Sequence, residues 1–309
     1  MHTRTAITAL AIAALSAPAF AQSDPHAGHV MEPPQAAAPA PANLKLPADE
    51  EGAKARLSAS PRHSEWVKVE VSGGTPVNTF IVYPERRDKA PVVVVIQEIF
   101  GLSDWIRAVA DQLASEGFIA VAPDLLSGHG PNGGGTEAYP TRDDVTKAVM
   151  GLPQPEMTAR LDAVRAYGLK LPAASDKNAT VGFCFGGTQS FAYAVSQAGL
   201  NAAVVYYGTA PNQKGGAQGS FTPDPEALMK IKAPVIGFYG GADARVSSTV
   251  PPTEAKMKDL GKPYEPHVFE GAGHGFLRAQ TGQNGANMKA TEQAWPMTIA
   301  FLRQHTEGK

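Results

Sequence analysis

Five consecutive apolar residues, Val92 to Ile96, stand in the stretch "APVVVVIQEIFG", with no polar residue among them to mark a solvent side. A β-branched run of that length fits a strand covered on both faces, the condition of a parallel strand inside an α/β sheet. Helices and further strands then alternate toward the C-terminus. "SDWIRAVADQLASEGF" offers Ser103 as an N-cap, Ile106, Val109, Ala110 and Leu113 on one helical face, and Gly117 as a stop. Strand-like "FIAVAPDL", helical "PEMTARLDAVRAYGL", strand-like "ATVGFC", helical "GGTQSFAYAVSQAG" and strand-like "AAVVYYG" continue the alternation. It ends with "APVIGFYGG", "PPTEAKMKDLG", "YEPHVFEG" and a terminal helix "NMKATEQAWPMTIAFLRQH", in which Pro296 is expected to kink or reset the helix. Upstream, "EWVKVEV" and "VNTFIVYP" alternate with period two and are joined through "SGGTP", predicting an antiparallel edge hairpin. The fold class is therefore α/β, a mostly parallel central sheet with helices on both faces.

The ends set the domain count. Residues 1–21 open with a positive charge at Arg4, continue through an apolar stretch from Ala6 to Leu15, and close on Ala19-Phe20-Ala21, the pattern of an export signal cleaved after Ala21. That apolar stretch is too short to span a bilayer, so an exported protein, periplasmic or secreted and without stable membrane insertion after signal removal, is expected. Residues 22–60 include "EPPQAAAPAPA" and read as a disordered Pro/Ala-rich tether. Within it His26, His29 and Met31 sit close together, but the loose spacing favours an inert polar tail over a metal site. Residues 61–309 have ordinary globular composition, enough for one core and one domain, with a monomer expected. With 27 basic and 29 acidic residues spread along the chain, nothing suggests a nucleic-acid partner.

The single cysteine, Cys184, lies in "TVGFCFGGTQS", where a predicted strand meets a predicted helix. Gly182 and Gly186, two residues before and two after it, permit the sharp strand-to-helix turn that displays a nucleophile at the carboxyl end of a sheet. In such a turn the helix N-terminus faces the side chain and the amide of Phe185 points at a developing oxyanion. A small buried hydrophobe is the alternative for a lone cysteine. Two further residues shift the balance. Asp243 in "GGADARV" and His274 in "GAGHGF" each follow a predicted strand, and nucleophile, acid and base come in the chain order of this fold. Asp124 in "VAPDLL" precedes the nucleophile and fits a loop-organising role, while His267 fits a strand position.

With "QEIFG" at 97–101, "APDL" at 122–125, "GFCFGG" at 182–187, "YYG" at 206–208, "GGADARV" at 240–246 and "GAGHGF" at 271–276, the chain from about Trp66 onward resembles the dienelactone hydrolase family of the α/β-hydrolase superfamily. The resemblance implies an ester or lactone hydrolase of carboxymethylenebutenolidase type. Cys184 would be the nucleophile, His274 the base, Asp243 the orienting acid, and the amides of Ile99 and Phe185 the oxyanion hole. Glu98 would contact the resting thiol, Arg278 would bind a substrate carboxylate, and Arg142 is the nearest candidate for a second such arginine. No cofactor or metal is implied, and the partner is a small-molecule ester or lactone. A broad exported carboxylesterase, or a non-catalytic binding protein on a hydrolase scaffold, are the alternative functions.

Overall fold

The computed structural model describes residues 44–213 and 220–307. The expected signal, the first part of the tether and the His26, His29 and Met31 group lie outside the described residues. Eight strands form one sheet: β1 (Ser64–Val69), β2 (Val77–Val82), β3 (Ala90–Ile96), β4 (Ile119–Pro123), β5 (Ala174–Phe183), β6 (Ala202–Tyr206), β7 (Val235–Gly240) and β8 (Tyr264–Phe269). Their spatial order is β1-β2-β4-β3-β5-β6-β7-β8, with β1 and β2 antiparallel and β3 to β8 parallel. This is the mostly parallel sheet that the strand and helix alternation predicts, with the hairpin as its antiparallel edge, and it is consistent with the α/β-hydrolase fold that the family resemblance implies.

Nine helices accompany the strands among the described residues: α1 (Ala53–Ser58), α2 (Asp104–Ser115), α3 (Arg142–Met150), α4 (Gln154–Leu169), α5 (Phe185–Ser196), α6 (Pro225–Met229), α7 (Ala244–Ser247), α8 (Val250–Asp259) and α9 (Ala286–Thr306). Strand alternation sorts them onto two faces. Val93 and Val95 of β3 point into a core with Trp105 and Val109 of α2 and Trp295 and Leu302 of α9. Val92, Val94 and Ile96 point into the opposite core, with Leu161 and Val164 of α4 and Phe191 of α5. Both faces of β3 are covered, which is why its apolar run has no polar interruption. Ser103 caps α2, its hydroxyl accepting from the amide of Ile106.

Two expectations give way. The stretch 44–60 is not a free tether. Leu46 is 5% exposed and Ala53 is fully buried in the core under α2, where α1 begins. The indole N–H of Trp105 donates to the Ala48 carbonyl at 3.0 Å, and Gln280 Nε2 donates to the Pro47 carbonyl at 2.9 Å. Burial of Leu46 and Ala53, with these buried donors satisfied, holds the segment on the domain despite its polar composition. The second concerns only the reset expected as one outcome at Pro296: α9 stays helical on both sides of it. Pro296 and Glu292, whose carbonyl loses its helical donor, are both on the exposed face.

Candidate active site

β3, β5, β7 and β8 run parallel, so their carboxyl ends bring together residues far apart in sequence. Cys184 follows β5 directly and precedes α5, with φ 55° and ψ −114°. A non-glycine residue in that region is strained, and the strain is what turns the side chain out of the sheet toward the loops. The Cys184 N–H donates to the Tyr206 carbonyl at 3.0 Å, holding the turn against β6. Its sulfur is half-buried.

The expected partners converge on it. His274 Nε2 lies 3.0 Å from Cys184 Sγ, and His274 Nδ1 lies 2.6 Å from Asp243 Oδ2. A carboxylate only accepts, so Nδ1 carries the proton toward Asp243 and Nε2 is left facing the thiol as an acceptor. The loop bearing His274 is anchored to α9: the side-chain oxygen of Asn287 accepts from the Gly273 amide at 2.8 Å, and Asn287 Nδ2 donates to the Ala279 carbonyl at 2.7 Å. The ring of Tyr207 meets the imidazole edge-on at a centroid distance of 5.2 Å. Asp124 stands apart from this group. Its two carboxylate oxygens bind the amides of Leu126 and Thr136 and the Thr136 hydroxyl, organising its loop as its sequence position suggests. His267 lies in β8, 2.8 Å from Glu265.

Burial raises the pKa of the Cys184 thiol, and the charge of Glu98 raises it further. The backbone amides of Phe185 and Ile99 act in the other direction, as does the charge of Arg245. Two backbone amides thus favour the anionic form of the sulfur. Arg245, in the quoted "GGADARV" but given no role from sequence, is exposed just beyond Asp243.

Glu98 is 3% exposed at the end of β3, and one of its carboxylate oxygens lacks a hydrogen-bond partner among the described residues. Burial pushes its carboxyl up to about 7, the charge of Arg278 opposing and that of Glu50 reinforcing the rise. Arg278 Nε sits 3.3 Å from Glu98 Oε2, an ion pair without hydrogen-bond alignment, since that N–H finds no well-directed acceptor. A carboxyl whose folded pKa is raised favours folding below its ordinary value of 4.5, and that contribution is lost as pH rises through about 7. Glu98→Gln is therefore expected to flatten the pH dependence: between pH 4.5 and 8 the variant should gain on the order of 3 kcal/mol relative to wild type, measured by urea unfolding across that range.

Both arginines expected at a substrate carboxylate are present, and both are engaged. Arg278 and Arg142 bind the two oxygens of one carboxylate, that of Glu50, with Arg142 Nη2 at 2.8 Å from Oε1 and Arg278 Nη1 in close contact with Oε2. Phe100 lies beneath both guanidinium groups, 3.5 Å from Arg142 and 5.1 Å from Arg278 to the ring centroid. Composition places Glu50 in the expected tether and gives it no role; its position follows from the docking of residues 44–53, which no local motif encodes. A separate cavity of about 460 Å³ beside β1 and β2, lined by Trp66, Asn78, Arg107 and Glu137, contains none of these groups.

Comparison with known proteins agrees with the architecture. The sequence model of the dienelactone hydrolase family matches residues 77–306. A protein of Salmonella typhimurium named "Putative carboxymethylenebutenolidase" is 30% identical over 237 residues, 76% of this chain and 85% of that one. One of the same name from Saccharolobus solfataricus is 28% identical over 262 residues, 75% of this chain and 96% of its own. The crystal structure titled "Putative Dienelactone Hydrolase" from Klebsiella pneumoniae superposes with a TM-score of 0.67 at 25% identity, covering 79% of this chain and 99% of that one. The chain belongs to the dienelactone hydrolase family and is a hydrolase acting on ester or lactone bonds.

Proposed function

We propose that the protein hydrolyses its ester or lactone substrate through a covalent acyl-thioester on Cys184. The observation that carries this reading is the aligned series Cys184 Sγ, His274 Nε2 and His274 Nδ1, Asp243 Oδ2, with separations of 3.0 and 2.6 Å. Cys184 Sγ bonds to the carbonyl carbon as its proton passes to His274 Nε2. The carbonyl oxygen becomes an oxyanion held by the amides of Ile99 and Phe185. The intermediate collapses, the C–O bond of the ester breaks, and the leaving alkoxide takes the proton from His274. Water then attacks the thioester, giving its proton to His274. The C–S bond breaks, the carboxylic acid leaves, and the proton returns to sulfur.

The resting state suits this sequence. Burial and Glu98 hold the thiol protonated, and the two amides that favour its anion are the ones that would hold the oxyanion. Sulfur is thereby protected until an acyl group arrives. Export to a periplasmic or extracellular compartment, for which residues 1–21 are the support, would make such protection of a lone thiol useful. The test is acid-quenched mass spectrometry after mixing with a short activated ester. An acyl adduct on the peptide bearing Cys184, absent after iodoacetamide treatment, is expected. Turnover that survives full alkylation of Cys184 would overturn the mechanism.

A further inference from the structure

Glu50 lies between Arg142 and Arg278, the two arginines to which the family resemblance assigns a substrate carboxylate. Its two oxygens are each taken by a different guanidinium, those of Arg142 and Arg278, with Phe100 packed beneath the pair. That is a fork of donors around one carboxylate, the arrangement by which arginines recognise an organic acid. The carboxylate comes from the protein itself, from a residue upstream of the region that the family model matches.

The segment carrying Glu50 is built in. The Glu50 amide donates to the Arg278 carbonyl at 3.0 Å. Three residues earlier Pro47 accepts from the buried Gln280, and two residues earlier Ala48 accepts from the buried Trp105. Leu46 and Ala53 anchor the segment on either side in the core. These contacts fix the backbone on either side of Glu50 and hold its side chain beside Arg142 and Arg278.

We propose that Glu50 sets the charge of the accepted substrate: by occupying the carboxylate place between Arg142 and Arg278, it turns an anion-binding subsite into a neutral wall and makes the enzyme select uncharged esters and lactones over carboxylated ones. This rests on the reading of Cys184 as the nucleophile for hydrolysis. The charges support it. Around Arg278 stand Glu50 and Glu98, so the charge of Glu50 already offsets one of the two guanidinium groups and an incoming anion meets less positive charge than the bare arginine pair would offer. It would have to expel Glu50, exchanging one carboxylate for another with no gain, or lie beside it against a like charge.

The experiment compares kcat/KM for a neutral aryl ester with that for the aryl half-ester of a dicarboxylic acid, using wild type, Glu50→Gln and Glu50→Gln/Arg278→Ala. Wild type should favour the neutral ester. Glu50→Gln, isosteric at a partly exposed position, should raise the ratio of anionic to neutral turnover by about tenfold or more, and the double variant should lose the gain. Calorimetric binding of glutarate gives a readout that does not depend on turnover: undetected with wild type, measurable with Glu50→Gln, lost in the double variant. Equal turnover ratios, or equal glutarate affinity, in wild type and Glu50→Gln would overturn the proposal. So would a wild-type preference for the anionic ester that Arg245→Ala removes, since that places the anion elsewhere. Absence of Cys184-dependent turnover on both esters would instead count against the nucleophile assignment, while glutarate binding still decides the role of Glu50.

Discussion

Replacing Cys184 with alanine is expected to lower kcat/KM on a short activated ester by about 10⁴-fold or more while leaving the folded structure in place. The loss corresponds to about 5.5 kcal/mol of transition-state stabilisation. What is removed is the atom that bonds to the acyl carbon. The imidazole 3.0 Å away, its aspartate and the two amides remain, but they have no covalent partner to activate. Alanine carries the same Cβ as cysteine, so the φ of 55° at this position is no worse for it. Thermal unfolding measured beside activity separates the two meanings a lone cysteine can have. A packing cysteine would cost stability and spare turnover, whereas a nucleophile does the reverse. Retained turnover in Cys184→Ala would remove the basis of the thioester mechanism.

Most of the scaffold is legible because sheet burial writes itself into sequence. Val92 to Ile96 of β3 and Ala202 to Tyr206 of β6 are covered on both faces, and neither run includes a charged or amide side chain. The grouping of Cys184, Asp243 and His274 is legible for a related reason. Each follows a parallel strand, and parallel strands deliver their carboxyl ends to one edge whatever the sequence separation. Helices α3 and α6 are easily missed although their starts are marked: Thr141 accepts from the Asp144 amide at 3.1 Å, and Asp224 with Pro225 opens α6. Both are short, α3 with only Val145 and Val149 buried one turn apart and α6 with only Leu228 buried, so the apolar pattern has too few positions to announce a helix without the caps. Glu50 is not legible at all. Averaging composition over 22–60 hides the change near Leu44, beyond which Leu46 and Ala53 bury and proline is absent from 48 to 60. Even with that boundary corrected, no local pattern says that a glutamate will meet Arg142 and Arg278, because those contacts span 92 and 228 residues.

Methylating the turn itself should undo what the other side chains need. A Cβ added at Gly182 would stand 1.9 Å from the Gly186 carbonyl oxygen and 2.4 Å from its carbon, both backbone atoms of α5. Neither can rotate away as a side chain would, so the helix start and the strand end must separate. Gly182 lies in the middle of the sheet, paired with Ile96 of β3 on one side and Val205 of β6 on the other, so the strand has little freedom to yield. The strain therefore falls on Cys184 and on the amide of Phe185, the parts of the turn that face the imidazole and the oxyanion. Gly182→Ala is expected to destabilise the domain by about 3 kcal/mol, as overpacking against rigid backbone does. It should also lower kcat/KM by about 10²-fold or more in the molecules that remain folded, because a displacement of about 1 Å at a nucleophile is costly. Urea unfolding gives the first quantity, and ester turnover at about 10 °C, near the temperature of maximum stability, gives the second. Wild-type stability together with wild-type turnover would mean that the close approach of Gly182 to Gly186 does not shape the turn, and the positioning of Cys184 would need another cause.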